Sequence, residues 1–311
     1  MRIEKLGDYA IVSTEVEQAL EGGLPVCALE TTILSHGLPR PFNLEVAHRV
    51  EQSVRASGAI PATIGILNGK VYIGMDEDQL EEVSLDTGSI KASLKDIPSA
   101  ILRGKTAGCT VAATVALAVS AGIRTFATGG IGGVHIGAEE TFDISADLKV
   151  LADNRIIVVC SGPKSVLDVN KTVEYLETLS IPIIGYRTER LPLFYTRSSN
   201  YAVDYTAERP EDVALFAGLR WAVSDGGMLV ANPVPKDAEM DKVAFERISK
   251  EAIQSAEKKG IRKSEITPYL LDYIHRHSEG ASLKANAALI ESNAQLGAKI
   301  AVALTKSGRE D

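Results

Sequence analysis

Short apolar runs alternate with longer amphipathic stretches along most of this chain. Pro25–Leu29 reads as a buried strand that ends at Glu30. Val46, Val50 and Val54 then recur at helical period, which predicts a helix from a cap at Asn43 to about Ser57, stopped by Gly58. Before that strand, Thr14 followed by Glu17 reads as a capping box and Gly22-Gly23 as the stop of a first helix. Thr63–Leu67, Asn68-Gly69 and Lys70–Gly74 form the clearest hairpin signal, because a type I′ turn needs positive φ at both central residues. Val111–Ala121 predicts a helix of small residues suited to close packing on a sheet. Thr125–Thr128, Ile156–Cys160, Pro182–Tyr186 and Met228–Ala231 predict further strands. Helices are expected from Ser145 to about Asp153 and from Ser165 to Thr178. From about Val243 onward the pattern is entirely helical.

Continuously apolar strands alternating with helices indicate a mostly parallel sheet covered on both faces, and the hairpin makes it mixed. The expected class is α/β: a three-layer α/β/α sandwich with a large mixed sheet and a helical C-terminal segment. No linker composition separates two units, so one α/β domain over residues 1–311 is expected.

Composition narrows the picture. The 311 residues carry 33 Lys+Arg and 41 Asp+Glu, a formal charge of −8. Such a chain lacks the basic footprint of a general nucleic-acid or membrane-surface binder. A phosphorylated small molecule needs only one cationic pocket and stays open. Cys27, Cys109 and Cys160 are far apart, odd in number and set in apolar stretches, as expected of buried reduced thiols in a cytoplasmic protein. No apolar run reaches 18 residues, and MRIEKLGDYA is not a secretory leader.

In open α/β sheets ligands sit beyond the carboxyl ends of the strands, and polar residues there are the first candidates for chemistry. Glu30, followed by Thr31, Thr32, Ser35 and His36, is a candidate general acid/base whose pKa burial would raise; a capping carboxylate is the alternative. Gly129, Gly130, Gly132, Gly133 and Gly137 form a loop able to present N–H groups to an anion. His135, Glu139, Glu140, Asp143 and Asp147 follow, an oxygen-rich set suited to Mg²⁺ or Mn²⁺. Lys164 in VVCSGPKS is expected at a helix start, where the helix field opposes its charge and favours the neutral nucleophile of a Schiff base. A surface lysine is the alternative. Lys91, Lys95, Arg103 and Lys105 are candidates to neutralise a phosphate. Asn286, early on a C-terminal helix, could read an amide-bearing ring.

The segments ALETTILSHGLPRPFN, PATIGILNGKVYIGM, TVAATVALA, FATGGIGGVHIGAEETFDISADL, VVCSGPKSVLD, GGMLVANPVP and SLKANAALIESN together resemble the pseudouridine-5′-phosphate glycosidase family, also called indigoidine synthase A-like. The likeness runs from about Val12 to about Ala301. It implies reversible cleavage of the C–C glycosidic bond of pseudouridine 5′-phosphate to uracil and ribose 5-phosphate, through a lysine imine with ring-opened ribose. It implies Lys164 as nucleophile, Glu30 as proton donor and acceptor, and Asp143 as ligand of Mn²⁺. Lys91, Val111, His135, Ser145, Ala146, Asp147 and Asn286 are implied as substrate contacts, with Lys91 facing phosphate and Asn286 reading uracil. A homotrimer is implied as well. ETT replaces the family's usual EST, and Pro163 removes one N–H from the turn before Lys164. Two alternatives share these residues: a Schiff-base aldolase acting on a sugar phosphate, and a non-catalytic binder of a phosphorylated nucleoside.

Overall fold

Glu30 and Lys164 end up near each other because their strands lie two apart in one sheet. A computed structural model describes residues 3–164, 166–261 and 266–308. In chain order the elements are β1 (Ala10–Val12), α1 (Thr14–Glu21), β2 (Val26–Glu30), α2 (Phe42–Ala56), β3 (Ile60–Leu67), β4 (Lys70–Ile73), α3 (Glu77–Leu85), β5 (Ile90–Ala92), α4 (Ile97–Leu102), β6 (Ala107–Cys109), α5 (Val111–Ala121), β7 (Thr125–Ala127), α6 (Ala138–Thr141) and α7 (Ala146–Ala152). They continue as β8 (Ile157–Cys160), α8 (Val169–Thr178), β9 (Ile183–Tyr186), β10 (Tyr205–Ala207), α9 (Pro210–Val223), β11 (Met228–Ala231), α10 (Lys242–Lys258), α11 (Ile266–His277) and α12 (Ala281–Ser307). The sheet order is β1-β4-β3-β2-β7-β8-β11-β9-β10, with β6 on β3 and β5 on β6. All ladders are parallel except β3–β4 and β3–β6, so the sheet is mixed and mostly parallel as expected.

The two faces bury different sets. Ile64, Ile73, Phe126 and Val158 pack with α5 and α7 residues such as Val115 and Leu148. Cys27, Leu29 and Ala127 pack on the other face with Val46, Val50 and Val54 of α2 and Leu289, Ala294 and Ala298 of α12. The chain leaves β2 toward β3 on one side, while β7 and β8 lie on the other. That reversal opens a crevice beyond the carboxyl ends of β2, β7 and β8.

The hairpin forms as its Asn-Gly predicts, with φ of 50° at Asn68 and 75° at Gly69. Other boundaries moved, each for a local reason. Ser13, not Thr14, caps α1; its hydroxyl accepts from Val16 N at 3.3 Å. Asn43 does not cap α2, which begins one residue earlier. Its buried side chain donates instead to the carbonyls of Leu34 (2.6 Å) and Ser84 (3.1 Å). The helix expected from Ser165 starts at Val169, because Asp168 supplies the better cap and accepts from Lys171 N at 3.1 Å. Ser165 lies outside the described residues. The short strands β1, β5, β6 and β10 have too few residues to show a pattern. The three cysteines are buried and unpaired.

Candidate active site

Glu30 is the last residue of β2 and is buried. Its carboxylate accepts a hydrogen bond from the Thr128 hydroxyl at the end of β7. Burial pushes its pKa above the usual carboxylate value; Lys164, the Thr128 hydroxyl and Lys91 pull it back, and Asp147 adds to the rise.

Lys164 follows β8 through a turn. Ile131 bridges Pro163 in parallel fashion: Ile131 N donates to Gly162 O at 3.2 Å, and Lys164 N donates to Ile131 O at 3.0 Å. The residue centred in such a bridge keeps its own N–H out of the ladder, so Pro163 removes no bond. Lys164 is therefore fastened to the glycine loop through its own N–H, four residues before the Asp168 cap of α8. The expected helix-start field is absent; what surrounds the amine is a cavity.

That cavity is open to solvent and spans about 500 Å³, the solvent at its mouth included. Glu30, Lys91, Lys164 and Asn286 all line it, together with Phe194 and His36. Lys91, central in β5, is pushed below the ordinary lysine value by burial and by Lys164, while Asp147 and Glu30 act the other way. Asn286 is buried on α12, and its Oδ1 has no hydrogen-bond partner. A buried acceptor without a partner costs stability, so it is poised for a donor on a ligand.

The remaining candidates form the shell beside this cavity. Asp147, on the first turn of α7, is buried; Oδ1 accepts from Ala112 N at 2.9 Å and Oδ2 from Gly132 N at 2.8 Å. Its charge is thus spent fastening the start of α5 to the glycine loop. A Cβ on Gly132 would lie 2.3 Å from Ser145 Oγ and 2.7 Å from Asp147 Oδ2, so only glycine fits. Ser145 caps α7 and accepts from Asp147 N at 3.2 Å; Ala146 is exposed beside it. Val111 is 1% exposed and belongs to the core, which leaves its main chain, at the start of α5, as the part able to meet a ligand. His135 N donates to Asp143 O at 3.0 Å. The His135 imidazole is held below its usual pKa by burial, against Asp143; its buried Nδ1 has no partner.

For Mn²⁺ the donor set is sparse. Among the described residues no three His, Cys, Asp or Glu side chains converge on one point. Asp143 is partly exposed, and its charge acts on the His135 imidazole. One carboxylate fits a cation that keeps most of its water, not a caged ion.

Asn293 escaped the sequence reading. It is buried on α12, two turns beyond Asn286. Its Nδ2 donates to Thr128 O at 2.8 Å and to Ser161 Oγ at 3.2 Å, and Oδ1 accepts from Asn232 Nδ2 at 2.9 Å. One amide so ties the ends of β7, β8 and β11 to α12. Two asparagines seven residues apart on an Ala- and Leu-rich helix were the available signal. Asn293→Ala is expected to cost about 2–4 kcal/mol, since it strands several buried partners. A urea melt with a lower midpoint and unchanged slope checks it.

Relatives share this chain nearly end to end. A family model described as indigoidine synthase A like protein matches residues 15–303. The chain belongs to that family. Curated relatives include pseudouridine-5′-phosphate glycosidases from Caldanaerobacter subterraneus (49% identical, covering 96% of this chain and 98% of that one) and Sorangium cellulosum (48%, covering 97% and 95%). The solved prealnumycin C-glycosynthase AlnA, in complex with ribulose 5-phosphate, has a TM-score of 0.90 at 35% identity, covering 98% of this chain and 99% of that one. An indigoidine synthase A-like protein of Thermotoga maritima has a TM-score of 0.87 at 37%, covering 95% and 96%.

Proposed function

We propose that the chain is a pseudouridine-5′-phosphate glycosidase, splitting pseudouridine 5′-phosphate with water into uracil and ribose 5-phosphate, reversibly. The observation that carries the reading is one cavity lined by a buried carboxylic acid, two lysines and an unsatisfied amide. Near-full-length relatives bearing that name support it.

A carbon leaving group rules out the ordinary glycosidase route, in which a protonated oxygen departs. In the proposed route the Lys164 amine bonds to C1 of the pentose as the C1–ring-oxygen bond breaks, and Glu30 hands its proton to that oxygen. The nitrogen lone pair then forms C1=N⁺ while the C1–C5 bond to the pyrimidine breaks. Glu30, reprotonated from the amine, protonates C5, and uracil leaves. Water adds to the iminium with Glu30 as base, releasing ribose 5-phosphate and free Lys164. Asn286 Oδ1 accepts an N–H of the base. Lys91 and the main chain at Val111, Ser145 and Ala146 hold the phosphate end, with Asp147 and His135 shaping the loop around it.

Asp143 would hold Mn²⁺, which supplies positive charge for the substrate's anion. Chelation is expected to remove activity and Mn²⁺ to restore it; unchanged uracil release after exhaustive chelation would exclude that role. The family likeness brings a cytoplasmic location and a homotrimer into the same proposal. The exposed Leu215, Leu219 and Val223 along α9 give a copy-to-copy contact an apolar surface. The deciding test of the whole reading is uracil release from pseudouridine 5′-phosphate, followed in the ultraviolet, against simple ketose phosphates as competing substrates.

A further inference from the structure

His36 lines the reaction cavity, yet the proposed route gives it no task. It belongs to a π-helical turn, Ile33–Gly37, a local geometry frequent at functional sites. Two contacts fix its place. Ser35 Oγ lies 2.7 Å from His36 Nδ1, and that hydroxyl donates onward to Thr31 O at 3.2 Å. With the Ser35 proton spent there, its oxygen can accept from Nδ1–H. The second contact is β6. A Cβ on Gly108 would come within 2.0 Å of Ser35 Oγ, so the strand presses directly on this hydroxyl. Gly108 is also the ladder partner of Lys91. One glycine thus sets His36 and Lys91 side by side at the cavity.

We propose that His36 completes an anion subsite with Lys91 and takes up a proton as the sugar phosphate binds. In the free protein several groups face the ring. Desolvation opposes its charge most, followed by Lys91 on β5 and Arg40 just beyond the turn; the Ser89 carbonyl, which accepts from the ring, favours it. Arg40 is itself held by the carbonyls of Ser84 and Asp86. The imidazole is therefore held below its ordinary pKa, and a dianion in the cavity would offset those cations. The proton then comes from solvent onto the unprotonated ring nitrogen, and the charged ring donates to a phosphate oxygen, a charge-assisted bond stronger than a neutral one. His36 thereby binds the phosphate and takes no part in bond breaking. The identity of the anion rests on the glycosidase reading; the subsite does not.

Calorimetric titration with ribose 5-phosphate near pH 7.5 tests this, because the phosphate is already dianionic there, its second pKa being about 6. Runs in two buffers of different ionisation enthalpy count protons taken up per ligand. The wild type is expected to take up a proton. His36→Gln is expected to take up none, to bind ~10-fold more weakly, and to raise KM for pseudouridine 5′-phosphate with little change in kcat. Ribose without phosphate should distinguish the two proteins in neither measurement. Equal proton counts or equal affinities in wild type and His36→Gln overturn the proposal. Should the variant fold poorly, ring-labelled wild type, with five histidines, answers instead: the resonance assigned to His36 must titrate at higher pH once ribose 5-phosphate is bound, and a shift confined to His135, or none, overturns it. A wild type that releases no uracil sinks the glycosidase reading alone, since the titration needs no turnover.

Discussion

Lys164→Ala is expected to lose uracil release by on the order of 10³-fold or more, as removal of a covalent nucleophile does elsewhere. Borohydride added during turnover, or with ribose 5-phosphate alone, should fix the pentose to one peptide of the wild type, the peptide containing Lys164, and to none of the variant. The physical ground is the amine's position. It lines the same cavity as Glu30 and Asn286, and its backbone N–H is held by the Ile131 carbonyl. Lys164→Arg separates two roles that a lysine could play. A guanidinium keeps the positive charge but does not form an imine, so an inactive Arg variant assigns the residue to covalent chemistry. Retained activity in the Arg variant would reduce Lys164 to an electrostatic contact and dismantle the route. An adduct with ribose 5-phosphate, but no uracil from pseudouridine 5′-phosphate, would favour the aldolase alternative. Ligand binding without turnover, persisting in a Lys164→Ala, Glu30→Gln double variant, would favour the binder.

The layered architecture was legible because its cause is local: a buried parallel strand must be apolar throughout, and a covering helix must be apolar on one face. Glu30 stood out for the same reason, a charge at the end of a run that otherwise excludes charge. Lys164 stood out too, but for a reason the structure replaces. Its helix begins at Val169, so the amine is placed by a bridge between Ile131 and Pro163, residues 32 positions apart in sequence. Nothing in a linear pattern announces that pairing. Asp147 shows the same limit. As one of several acids after a glycine loop it suggested a metal ligand or substrate contact; that its two oxygens also accept from Ala112 N and Gly132 N depends on neighbours only the fold supplies. Asn293 was missed because its work is tertiary: it joins three strand ends that meet only in the folded sheet. Elements set by periodicity could be read; groups whose role depends on which strands become neighbours could not.

Glu30→Gln is expected to lower uracil release by about 10²–10⁴-fold, the usual worth of a general acid/base, and at the same time to make the protein more stable at neutral pH. Burial raises the Glu30 pKa in the folded state above the ordinary 4.5. Between those two values the folded chain binds more protons than the unfolded one, so stability falls as pH rises through that window and stays lowered above it. Lys164, Thr128 and Lys91 offset part of this cost without cancelling it. Glutamine cannot ionise, and its carbonyl still accepts from Thr128. Melting temperatures of the two proteins should therefore nearly coincide below pH 4.5 and separate as pH climbs, with the variant higher. A variant that is less stable than the wild type at neutral pH would mean that the two lysines stabilise an ionised Glu30 by more than burial penalises it. In that event Glu30 would enter the reaction ionised, and the acid that protonates the departing ring oxygen would have to be sought elsewhere in the cavity.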